Sequence, residues 1–85
     1  MAQQYNNPNA QNIKKRYGVL VFIKGSTAPL VLYVKEPQVL YDELTKLMQS
    51  QQAVFVEKET EGPIKRVAFV SNQIAAVAIQ EEQYM

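Results

Sequence analysis

Apolar residues in this chain fall into short strand-like runs and one stretch with a different period. Residues 17–24, YGVLVFIK, and 30–35, LVLYVK, are dense in β-branched and aromatic side chains, which favour strands. Gly25 and Pro29 punctuate the GSTAP segment between them, so the two runs predict an antiparallel hairpin. The period changes at Glu36-Pro37. Leu40, Leu44, Leu47 and Met48 recur at helical spacing, with Tyr41 on the flank of the stripe. Proline suits a first helical position because that N–H has no helical partner, and Glu36 at the same end suits the helix dipole. Asp42 and Lys46 stand four apart on the opposite face and are placed to pair. No glycine marks the end of the helix, which predicts fraying over 49–52.

Residues 53–58, 64–70 and 74–79 then read as a meander, joined by the ETEGP turn at 59–63 and a tight SNQ corner at 71–73. The order is ββαβββ. It predicts a small single α+β domain over 14–82: a mainly antiparallel five-stranded sheet, open or curled into a barrel, with one amphipathic helix. Residues 1–13, rich in Gln and Asn, are expected to be a disordered tail, and 83–85 a flexible end.

The strands are apolar on both faces. Val19, Val21 and Ile23 oppose Leu20 and Phe22; Leu30, Leu32 and Val34 oppose Val31 and Tyr33; Ile74, Ala76 and Ala78 oppose Ala75, Val77 and Ile79. Two-sided apolar strands call for cover on both faces, yet one helix of four turns covers only part of one. Either the sheet closes into a small barrel, or a second copy of the chain packs on it. The second solution makes the protein a homo-oligomer, and the residues expected at its interface are Val19, Val21, Ile23, Val31, Tyr33, Ala75 and Val77. A one-residue slip in register would exchange the two faces.

Composition narrows the chemistry. The 85 residues contain no cysteine and no histidine. Disulfide scaffolds, thiolate metal sites and Ser–His or Cys–His nucleophile systems are therefore excluded within the chain. Its three glycines are isolated, so no phosphate-cradling loop is present. Glu57, Glu59 and Glu61 share one side of an extended strand, which suits a charged hairpin tip better than a calcium or magnesium site needing more ligands.

A net charge of +1 provides no global attraction to nucleic acid or anionic lipid. Locally, however, Lys14, Lys15 and Arg16 precede Tyr17, and Lys24 and Lys35 belong to the same hairpin region. Cations on phosphates and a tyrosine under a base would make a nucleic-acid surface of these six residues. The first expectation is nevertheless a non-enzymatic assembly or protein-interaction module, without cofactor or metal, whose main partner is itself. Nucleic-acid binding is the alternative, and a small enzyme using Lys, Tyr, Ser or carboxylates comes third. No apolar run is long enough to span a bilayer, and no secretory signal is seen at the N-terminus, so a cytoplasmic protein without a membrane partner is expected.

Overall fold

The computed structural model describes residues 14–84. The Gln/Asn-rich segment 1–13 and Met85 lie outside the described residues. The order is β1 (Lys14–Ile23), β2 (Leu30–Tyr33), helix α1 (Pro37–Ser50), β3 (Phe55–Glu59), β4 (Arg66–Val70), a 3-10 turn (Ser71–Gln73) and β5 (Ile74–Tyr84). This is the expected α+β domain with antiparallel strands.

The strands are divided differently from the expectation. Three form one sheet in the order β2-β1-β5, and β3 pairs with β4 in a separate two-stranded sheet. A single bridge, Tyr33 to Glu61, joins the two, so neither one five-stranded sheet nor a closed barrel results. The hairpin leaves the plane of the larger sheet because it has an apolar face of its own to bury. Val56 is buried, and Val67 and Phe69 pack against the same core.

That core lies between one face of β2-β1-β5 on one side and α1 with the hairpin on the other. Its buried members are Val19, Val21, Leu32, Leu40, Leu44, Val56 and Ile74. Cross-strand register explains the set, since directly paired residues share a face. Val19 faces Leu32 and Ile79, and Val21 faces Leu30 and Val77. Near the end of the β1–β5 ladder the register shifts, Phe22 pairing with Ala76 and Ile23 with Ile74. Ala75 is the extra residue of this bulge, which lets both Ile74 and Val77 turn inward.

Both long strands outrun their apolar signal. β1 begins three residues before Tyr17, and β5 continues past the 74–79 run to Tyr84, into the expected flexible end at 83–85, because Lys14–Arg16 pair with Glu82–Tyr84. Helix α1 starts at Pro37 as expected, but it ends abruptly rather than fraying. Gln51 takes a left-handed conformation, φ 62°, in place of the missing glycine. Asp42 accepts a hydrogen bond from Gln38 at 3.0 Å and does not pair with Lys46, while its neighbour Glu43 is bridged by Lys58 of β3 at 3.0 Å. Buried Ser71 fastens the loop after the helix. Its hydroxyl donates to the Gln52 carbonyl at 2.8 Å and accepts the Val54 N–H at 3.0 Å.

Candidate functional site

With the core assigned, the opposite face of β2-β1-β5 is left without a covering element among the described residues. On β1 this face carries Arg16, Gly18, Leu20 and Phe22, paired with Glu82, Gln80, Ala78 and Ala76 of β5. On β2 it carries Tyr33 beside Gly18 and Val31 beside Leu20. The face thus has two halves. Leu20, Phe22, Val31, Ala76 and Ala78 make an apolar half, in which Phe22 is 37% exposed. Arg16, Tyr33, Glu82 and Tyr84 make a polar one.

The polar half is a closed hydrogen-bonded clasp across three strands. Tyr33 donates its hydroxyl to Glu82 Oε2 at 2.8 Å, Arg16 Nε donates to Glu82 Oε1 at 3.0 Å, and Gln80 adds a third bond at 3.2 Å. The Arg16 guanidinium also lies over the Tyr33 ring, 4.0 Å from its centroid, and 5.5 Å from that of Tyr84. Two glycines make room for the ring. A Cβ on Gly18 would come within 3.3 Å of Tyr33, and one on Gly62 within 2.7 Å.

The clasp shifts the ionisation of both its acids. The Tyr33 hydrogen bond, and then Arg16, hold the Glu82 carboxyl below the usual carboxylate range. Tyr33 is raised above the ordinary tyrosine value, first by its bond to Glu82 and then by burial. The stability that Glu82 contributes is therefore present above the ordinary carboxylate range and is lost as pH falls through its depressed value. That of Tyr33 is present below about pH 10 and is lost as pH rises through its elevated value. Urea midpoints of wild type and Glu82→Gln, compared from pH 7 down to pH 3, are expected to converge at the acid end. A gap that stays constant over this range would show that the ionised Glu82 carboxylate does not carry the difference.

Comparison with known protein families, characterised proteins and solved structures finds no match to this chain. Function therefore rests on the surfaces themselves.

The residues expected at an interface separate. Val19 and Val21 are buried beneath α1, and Ile23 and Val77 pack against the same core, so none of the four is available to a second copy. Val31 and Tyr33 are on the open face, and Ala75 is exposed at the bulge. The parity chosen from sequence was the inward one on β1. Leu20, Phe22, Ala76 and Ala78 take the outward places, and one signal pointed to them: their parity also contains Arg16 and Gly18, making it the less apolar of the two.

Of the residues considered for nucleic acid, Arg16, Tyr17 and Lys35 converge with Tyr33 and Tyr84 on a groove of about 460 Å³, where β2 turns away from β1. Lys14 and Lys15 are exposed just before them, while Lys24 is at the other end of β1. Acids share the groove with its cations. Glu82 engages Arg16, Tyr17 donates to Glu81 at 3.2 Å, and Glu61 lines the same groove. Glu59, one of the three spaced glutamates, pairs with Arg66 at 3.1 Å, and no group of three or more potential metal ligands converges among the described residues. No helix there is long and apolar enough to cross a membrane.

Proposed function

We propose that this protein is a non-enzymatic assembly module whose partner is a second copy of itself, packed on the open face of β2-β1-β5. The observation supporting this reading is the apolar half of that face: five apolar side chains spread over three adjacent strands, with Phe22 and Ala76 exposed and Leu20, Val31 and Ala78 half-buried. A contiguous patch of that kind marks an interaction surface more often than a solvated one. The alanines favour a closely approaching layer, and the neighbouring clasp provides the polar rim with tyrosines that such interfaces share. Nucleic-acid binding has less support, because the acids beside the basic residues would repel the phosphates that those residues attract.

Light scattering coupled to size exclusion tests the reading on the full chain. The expected mass at tens of micromolar is a multiple of 9.7 kDa. Phe22→Glu, a charge at the centre of the patch, is expected to reduce that mass while leaving the circular dichroism spectrum unchanged. A wild-type mass equal to one chain would overturn the proposal.

A further inference from the structure

The same sheet has a second unpartnered feature, the outer edge of β5. This strand runs for 11 residues, Ile74–Tyr84, and its only strand partner among the described residues is β1. Edge strands that must remain solitary are blunted by proline, lysine, short length or bulges. From Ala76 to Gln80 β5 has none of these, and Ala76 and Ala78 leave its backbone easy to approach.

The direction of each backbone group follows from a single hydrogen bond. The Tyr33 carbonyl accepts the Glu61 N–H at 2.7 Å, so it points away from β1. In an antiparallel ladder, its partner Gly18 must then direct its own N–H and C=O towards β5, where it faces Gln80. Alternation along β5 makes Gln80, Ala78 and Ala76 bond inward to β1. Val77, Ile79 and Glu81 present their N–H and C=O groups to the free edge.

We infer that β5 pairs through this edge with β5 of a second copy, antiparallel about a two-fold axis at Ala78, so that the two three-stranded sheets join into one. In this register Val77 of each copy exchanges both backbone hydrogen bonds with Ile79 of the other. Charge selects it. Centres at Glu81 or Glu82 would set like charges opposite each other. Centring at Ala78 instead carries these acids to the end of the other copy's β5, where Lys24 donates its backbone N–H to Gln73 at 2.8 Å. The inference rests on the proposal of self-association and adds an edge contact to the face contact: the paired sheets double the open apolar face.

Two measurements on the full chain test it. In the assembled protein, amide exchange at Val77 and Ile79 is expected to be slowed at least ~100-fold relative to an open edge. Because the chain has no cysteine, Ala78→Cys reports the register directly. Opposed residues at a non-hydrogen-bonded antiparallel site have Cα atoms about 4.5 Å apart, within disulfide range. Oxidised Ala78→Cys is therefore expected to run as a covalent dimer, and Gln80→Cys, further from its own mate, as single chains. A multi-chain species with fast exchange at Val77 and Ile79 would overturn edge pairing and leave face packing standing. Slow exchange without an Ala78→Cys cross-link would overturn the register, and a single-chain mass would overturn both proposals.

Discussion

Leu44→Ala is expected to destabilise the domain by about 3 kcal/mol, in the usual range for a fully buried leucine. Leu44 is on the inward face of α1 and is fully buried in the cluster that includes Val19, Val21 and Leu32. Truncation removes the transfer free energy of three carbons and leaves a cavity among side chains held by the strand ladders, which collapse little. For a domain of this size the melting temperature should fall by roughly 10–20 °C. Val39→Ala provides the control on the same helix. Val39 is 58% exposed, and its loss should stay within about 0.5 kcal/mol. Thermal and urea unfolding at one protein concentration measure both, since self-association would make stability concentration-dependent. A Leu44→Ala cost below about 1 kcal/mol would mean that α1 does not cover the sheet as described.

Gly62→Ala should have the next largest effect, for two separable reasons. Gly62 has φ +82°, and a Cβ there would come within 2.7 Å of the Tyr33 ring. The left-handed conformation costs a non-glycine residue about 1–2 kcal/mol, and displacing the ring adds about 1–2 kcal/mol more. Gly25 separates these terms. It has the same φ, +82°, but its added Cβ meets nothing within 4 Å, so Gly25→Ala should show the backbone cost alone. The excess of Gly62→Ala over Gly25→Ala in urea unfolding is then the price of moving Tyr33. In a Tyr33→Ala background that excess should vanish. If it persists there, the ring is not what confines Gly62.

These two sites also show which features the sequence made legible. Leu44 was readable because helical spacing is a local property, and so were Pro37 as a helix start and the ββαβββ order. Tyr33 is legible as an aromatic on a strand and as an interface candidate, but its part in the clasp depends on residues 15, 29 and 49 positions away along the chain: Gly18, Gly62 and Glu82. Nothing local announces such a meeting. The extra strand length at Lys14–Arg16 was hidden for the same reason, because its partners, Glu82–Tyr84, are at the far end of the chain. The assignment of faces reversed on β1 because both parities carry large apolar side chains, and the more apolar of the two goes to the core beneath the helix rather than to an interface. On β5 the extra residue breaks strict alternation, so period-two counting from Ile74 puts Val77 on the wrong side. The division of five strands into two sheets was equally illegible, since a meander of antiparallel runs looks the same whether or not its hairpin leaves the plane.

The bulge at Ala75 also sets where β5 tolerates a change of length. Deleting Ala75 would bring Ile74 and Ala76 into ordinary succession, with Ile74 still turned towards the helix and Ala76 towards solvent. Deleting any residue from Val77 to Ile79 would instead invert the remaining side chains of one arm of the strand, carrying core residues out and surface residues in. In lineages that vary the length of this segment, the gap is therefore expected at position 75.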